Sequence, residues 1–206
     1  MPLNRTTSDS CCEQLQSRPG LLTDVMLVDS VPIILSPQPN TARVAPELAN
    51  KGYVATKNLW YHGLKWHILA TDRLGRLPLP QRVQLTPAWV NDLPALRQQL
   101  PDLRSVAVVG DKAYCDASLK ERLADRQRVM LYTPVKKAKG ADRVDAADKL
   151  YSTYVSRMPQ PIESLFRWLI SRVGLQDGSR IGSEKGVWLH CFGRLAAGLY
   201  VLAFYS

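Results

Sequence analysis

Hydrophobic positions along the chain repeat with two different periods, and the change from one to the other sets the predicted order of elements. Val25-Met26-Leu27-Val28 runs into Asp29-Ser30 and then Val31-Pro32-Ile33-Ile34-Leu35, a β-branched stretch with a carboxylate at its centre, which predicts a strand. Residues 36–58 hold Pro37, Pro39, Pro46, Asn40, Asn50 and Gly52, and are expected to form a long irregular connection. Leu59 to Thr71 predicts a second strand, Asp72-Arg73-Leu74-Gly75 a turn, and Leu77 to Leu85 a returning third strand.

Beyond that meander the pattern alternates. Asp92 to Leu100 carries the caps and charges of a short helix, and Ser105-Val106-Ala107-Val108-Val109 is the continuous apolar run of a strand buried on both faces. Gly110-Asp111-Lys112 ends it, Ser118 to Arg126 is helical, and Val129-Met130-Leu131-Tyr132 is a fifth strand stopped by Thr133-Pro134. A basic, apolar-poor loop through Lys136, Lys137, Lys139 and Arg143 follows. Pro159 and Pro161 then announce a helix with apolar residues at Ile162, Leu165, Phe166, Leu169 and Ile170, a stripe of helical spacing. Val187 to Tyr205 is apolar but interrupted by His190 and Arg194, leaving a run too short to span a bilayer, so a buried core helix is expected there. Gly193, Ala197 and Gly198 suit its close approach to a sheet. Three strands in a meander followed by strand, helix, strand and helix make an α/β arrangement with a mixed sheet.

Length and composition narrow the partners. With 206 residues and 46% apolar composition, the chain holds one sizeable core, expected over residues 21–206, preceded by a polar, poorly ordered segment 1–20. Lys and Arg number 27 against 18 Asp and Glu, and the formal charge of +9 attracts polyanions, with nucleic acid first among them. Four cysteines without a Cys-x-x-Cys pair argue against structural zinc and for a reduced, cytoplasmic setting. The polar start has no signal-peptide pattern, and no membrane role is expected.

Three carboxylates carry the candidate chemistry. Asp29 lies between Val28 and Val31 in a strand, where burial of a charge costs several kcal/mol unless a partner or cation compensates; the ordinary alternative is a solvated strand-end residue. Asp111 projects from the carboxyl end of a buried strand, where ligands gather in open α/β sheets, although Gly-Asp is also a common turn. Glu163 occupies a first helical turn, where the macrodipole alone accounts for it and a pair with Arg167 adds a second reason. If the first and fourth strands are neighbours, Asp29 and Asp111 lie side by side and the Glu163 helix caps the same end. Three convergent carboxylates repel one another unless cations are present, and two Mg²⁺ ions, hard cations that prefer oxygen ligands, suit such a site for phosphodiester chemistry. Lys65 beside the site and Lys112 next to Asp111 are candidate phosphate contacts, and Lys136 and Lys137 belong to a loop suited to a DNA backbone; solvated lysines are the alternative in each case. Lys65 and His67 share one strand face and His62 the other, which disfavours a histidine metal site. The five tryptophans are read as packing residues.

The segments Val28-Asp29-Ser30, Gly63-Leu64-Lys65-Trp66-His67, Leu77-Pro78-Leu79 with Leu85-Thr86-Pro87, Gly110-Asp111-Lys112-Ala113-Tyr114 and Ile162-Glu163-Ser164-Leu165-Phe166 resemble, in this order, the successive motifs of bacterial insertion-sequence transposases of the DDE class. The resemblance runs from about residue 21 to the end. It implies a ribonuclease H-like fold, a mixed five-stranded sheet flanked by helices, with Asp29, Asp111 and Glu163 as the catalytic and metal-binding triad. It also implies two Mg²⁺ ions, with Mn²⁺ able to substitute, DNA as partner through transposon ends and target, and a homo-oligomer assembled on DNA. Activity in the family is metal-dependent nicking followed by joining of the freed 3′-hydroxyl to target DNA. Ala113 stands where the family usually has glycine, and Ile170 where many relatives have a lysine, for which Arg167 or Arg172 is the expected stand-in. Only 28 residues precede Asp29, fewer than in relatives, so a truncated copy is expected. An inactive DNA-binding remnant and a ribonuclease H-like nuclease are the alternatives.

Overall fold

The computed structural model describes residues 25–38, 40, 43–136, 145–176 and 178–204. The polar segment 1–20 and the loop residues Lys137, Lys139 and Arg143 lie outside the described residues.

The sheet is mixed and has six strands in the order β2-β3-β1-β5-β6, with β4 also paired to β3. Strand β1 is Val25–Ser36, β2 is Asn50–Val54, β3 is Leu59–Thr71, β4 is Leu79–Pro87, β5 is Ala107–Val109 and β6 is Met130–Tyr132. β1 runs antiparallel to β3 from Met26↔Thr71 to Ile34↔Gly63. The opposite edge of β3 is shared, by β4 from Leu64↔Pro87 to Thr71↔Leu79 and by β2 from Asn50↔Gly63 to Val54↔Leu59. β5 pairs in parallel with both β1 and β6.

Two expectations are corrected here. Residues 36–58 are not one irregular connection, because β2 lies inside them and raises the strand count from five to six. Only Gly52 of β2 is buried, so the segment has no apolar alternation to reveal it; hydrogen bonding to β3 makes it a strand. Gly52 is required there, since a Cβ would lie 2.6 Å from the Ala88 Cβ and 2.8 Å from the Tyr61 ring. The returning strand is also displaced, covering Leu79–Pro87 in place of residues 77–85.

Helices cover both faces of the sheet. Helix α1 is Asp92–Gln99, α2 is Ala117–Gln127, α3 is Ala146–Arg157, α4 is Gln160–Val173 and α5 is Glu184–Phe204. On one face Leu27, Val31, Ile33, Leu64, Trp66, Ile68 and Val109 pack with Ile162, Leu165, Phe166 and Leu169 of α4 and with Val187, Cys191 and Leu195 of α5. On the other, Met26, Val28, Leu69 and Val108 pack with Leu96 of α1, Leu119 and Leu123 of α2, and Tyr114. Strands β1, β3 and β5 thus send alternate residues into two different cores.

Helix α3 has no counterpart in the sequence reading. Val155 is its only fully buried residue, and Tyr151 and Met158, at helical spacing around it, pack partly buried against the core; Asp145 caps it by accepting from the Ala147 N–H at 3.1 Å. The final helix is expected as a buried core element, and only one stripe of it is. Val187, Cys191, Leu195, Gly198 and Leu202 are buried, whereas Leu189, Phe192, Tyr200 and Phe204 are exposed. By length and composition alone α5 is apolar enough to cross a membrane, but its buried stripe is spent on α4 and the sheet. The close approach is at Gly198, where a Cβ would lie 2.7 Å from Leu169 Cδ2, so the glycine serves a helix contact and not a sheet contact. Gly193 has nothing within 4 Å of a built Cβ.

Candidate active site

The site lies where β1 and β5 stop pairing. Their last rungs are Met26↔Val108 and Leu27↔Val109, and continuing that parallel register by two residues sets Asp29 opposite Asp111. Gly110 permits the turn: a Cβ there would meet Val28 Cγ1 at 2.7 Å and the Tyr114 ring at 2.7 Å. Asp111 then starts a short 3-10 turn, Lys112–Tyr114, and its Oδ1 accepts from the Ala113 N–H at 2.7 Å. Asp29 Oδ1 accepts from the Ser30 N–H at 2.7 Å. Glu163 comes from the first turn of α4, which packs across the same face of the sheet, and its side chain is exposed.

Electrostatics bind these acids into one neighbourhood. Burial pushes the Asp29 carboxyl up to about 7; the Ser30 N–H pulls it down, and the charges of Asp111, Asp92 and Glu163 raise it further. The Asp111 carboxyl is also raised, by desolvation first and by Asp92, against the lowering effects of the Ala113 and Tyr114 amides and of Lys136. Both acids therefore favour their protonated forms more than a solvated aspartate does.

Asp92 is a fourth carboxylate that sequence reasoning reads only as a helix start. Its Oδ1 accepts from Ser30 Oγ at 2.8 Å and from Lys65 Nζ at 3.2 Å, and lies 3.6 Å from His67 Nδ1. No local signal distinguishes it, because an acid in a first helical turn is already explained by the macrodipole. His67 is fully buried and its Nε2 meets Thr86 Oγ1 at 2.9 Å. Burial, outweighing the attraction of Asp92, depresses its pKa to about 4, so the imidazole is neutral at neutral pH and its contact with Asp92 is not an ion pair. Tyr114 is also buried, and burial followed by the charges of Asp29, Asp92 and Asp111 holds its phenol well above the usual range. Ser30, which donates its own hydroxyl proton to Asp92, lies beside the phenol and has a smaller, lowering effect on it.

The basic residues are placed unevenly. Lys65 is engaged by Asp92 and by the Val90 carbonyl at 3.0 Å. Lys65 and His67 both reach Asp92, whereas His62 meets the Val44 carbonyl at 2.9 Å, as strand alternation requires. Lys112 is exposed beside Asp111, and Lys136 Nζ reaches the Cys115 carbonyl at 3.4 Å while its charge is felt by Asp111. Arg167 is exposed one turn beyond Glu163, and among the described residues neither side chain forms an ion pair. The expected (i, i+4) pair is absent.

The donor set suits a hard divalent cation in its chemistry: oxygen atoms only, an excess of negative charge, and carboxyls whose mutual repulsion a cation would relieve. Its spacing is open. Among the described residues no three His, Cys, Asp or Glu side chains converge closely enough to hold an ion.

A family model for the transposase DDE domain matches residues 21–197, a span that includes Asp29, Asp92, Asp111 and Glu163. No curated protein and no solved structure matches the chain.

Proposed function

Because the chain belongs to the DDE transposase family, we propose that residues 21–206 are the catalytic domain of an insertion-sequence transposase that cuts DNA and joins its strands, with Asp29, Asp111 and Glu163 as metal ligands. One observation carries this reading. Asp29, in the interior of strand β1, is pushed up to about 7 by burial first and then by the charges of Asp111, Asp92 and Glu163, a concentration of negative charge that a divalent cation would relieve. The mixed sheet with helices on both faces is consistent with a ribonuclease H-like fold, which we infer on the same footing.

Two Mg²⁺ ions, or Mn²⁺ in their place, would be held by Asp29, Asp111 and Glu163, and when bound they supply activation of the attacking oxygen and stabilisation of the leaving one. Asp29 would hold a cation in its ionised form, the cation's charge offsetting the desolvation and the like charges that raise its pKa. Asp29 and Asp111 are oriented from the backbone by the Ser30 and Ala113 amides, so their presentation does not depend on the cation. Glu163 is exposed on α4 and would have to turn inward to complete the set. Neutral His67 keeps positive charge from building behind Asp92. Lys112 and Lys136 beside Asp111, Arg167 one turn beyond Glu163, and Lys65 and Lys137 are the proposed cations for the phosphate backbone. DNA ends and target are the partners, a homo-oligomer on DNA the working form, and the cytoplasm the compartment.

A second reading, a DNA-binding domain that has lost its chemistry, is favoured by the open spacing of the acids. Incubating the purified protein with Mg²⁺ or Mn²⁺ and DNA bearing the element's ends separates the two. Nicking by the native chain and its loss in Asp111→Asn are expected; equal cleavage by both overturns the assignment. Products joined through 3′ ends distinguish a transposase from a nuclease.

A further inference from the structure

The β2–β3 hairpin carries an aromatic pair that no core uses. Tyr53 and Trp60 face each other across the ladder with ring centroids 4.8 Å apart, and they remain 46% and 52% exposed. Lys51, two residues before Tyr53 and on the same face of β2, places its Nζ 4.6 Å from the Trp60 ring centroid. The Tyr53 hydroxyl donates to Asn58 Oδ1 at 2.8 Å, which fixes the phenol beside the turn, and Asn58 itself holds a left-handed φ of 47°. The pair is thus set in place by local bonds and yet left open to water.

Charge indicates what covers it. From residue 48 to residue 71 there is no Asp or Glu, whereas Lys51, Lys57 and Lys65 fall in that stretch. Exposed indole and phenol faces beside the Lys51 ammonium, on a hairpin whose charged residues from Asn50 to Trp60 are Lys51 and Lys57, are matched by a polyanion that also offers flat rings, namely DNA with unpaired bases. A duplex hides its base faces by stacking, so the fit is to a single-stranded or frayed segment. Trp60 lies on the same face of β3 as Ile68, the cross-strand partner of Asp29, and eight residues from it, roughly 26 Å along the strand. One DNA strand can span the two places in roughly eight nucleotide steps.

We infer that Trp60, Tyr53 and Lys51 form a stacking platform for unpaired DNA bases, in which a base takes the position of the Lys51 ammonium over the indole and Lys51 turns to the adjoining phosphate. The choice of polymer rests on the transposase reading above, but binding is measured without cleavage, so the two can fail separately.

The experiment compares Trp60→Leu, Trp60→Phe and Tyr53→Leu with the native chain, using labelled dT12 and a blunt 12-base-pair duplex, without added metal, in fluorescence polarisation. Trp60→Leu is expected to weaken dT12 binding by about 10-fold or more while changing duplex affinity less than about 2-fold, and Trp60→Phe to retain most of the single-strand affinity. Native dT12 affinity in a folded Trp60→Leu chain overturns the platform, as does an equal loss on both DNAs. Should Trp60→Leu fail to fold, Tyr53→Leu and the fraction of tryptophan fluorescence that dT12 quenches in the native chain but not in Trp60→Phe carry the same decision. Disruption of a dimer by Trp60→Leu with dT12 affinity intact identifies the face as a protein interface and also overturns the proposal. Single-strand binding that persists in a chain unable to nick DNA would defeat the catalytic reading alone.

Discussion

Lys65 Nζ donates to Asp92 Oδ1 at 3.2 Å, and the ion pair joins the middle of β3 to the first residue of α1, whose Oδ1 also accepts from Ser30, the neighbour of Asp29 in β1. Asp92 adds negative charge to the Asp29 neighbourhood and restrains the lysine that could offset it. Replacing Asp92 by Asn removes one source of the upward pressure on Asp29. The Asp29 carboxyl should then titrate below its native value of about 7, as read from carboxyl carbon shifts in a pH series. An unchanged midpoint would place the two groups out of electrostatic contact.

Asp29 also ties stability to pH. Its folded pKa, about 7, exceeds the ordinary value of 3.8, so the folded chain binds more protons between those values and stability falls as pH rises through that window. His67 runs the other way, with a folded pKa near 4 against 6.5, so its contribution is present above 6.5 and is lost as pH falls toward 4. Above pH 6.5 the His67 contribution is complete, while the Asp29 effect continues to a pH of about 7 and the raised Asp111 acts in the same direction. Without divalent metal, Asp29→Asn should stabilise the chain at pH 8 by roughly 1–3 kcal/mol, a range discounted for the partial solvent contact of the carboxyl, and by little at pH 4. Thermal melts at the two values check this, and Mg²⁺ should raise the native melting temperature at pH 8 but not that of the variant.

Gly110 holds the turn that aims Asp111. A methyl group there meets Val28 and the Tyr114 ring at 2.7 Å, and both belong to the same packed core. Gly110→Ala should cost about 1–3 kcal/mol in urea unfolding. Cleavage should fall further than stability accounts for, since the strain acts on the residue beside the carboxylate.

Arg167 makes no ion pair with Glu163, so its removal should leave the fold alone. Arg167→Ala is expected to shift stability by less than about 0.5 kcal/mol. It should weaken DNA binding and reduce the salt slope of log affinity by about one. A large loss of stability with an unchanged slope would assign Arg167 to the fold and not to DNA.

The long, strongly patterned elements were legible in the chain itself. The apolar runs around Asp29 and before Gly110, and the stripe from Ile162 to Ile170, each correspond to a real element, because burying them requires that periodicity. Strand β2 and helix α3 were not legible, since one buries a single glycine and the other a single valine in full. Asp92 could not be told from any capping acid, and its role comes from Ser30 and Lys65, 62 and 27 residues away.

What the amino-acid order determined by itself is that the strongly patterned segments are strands or helices, that Asp29 sits within an apolar strand and that Asp111 follows a buried one, since local periodicity and turn chemistry act over a few residues. What only the tertiary structure decided is the company those acids keep: the parallel register that aligns Asp29 with Asp111, the arrival of Asp92 and its lysine, and the upward shift of Asp29. Charge interaction and desolvation depend on distance through space and on what surrounds a group, and neither is written in the spacing of residues along the chain.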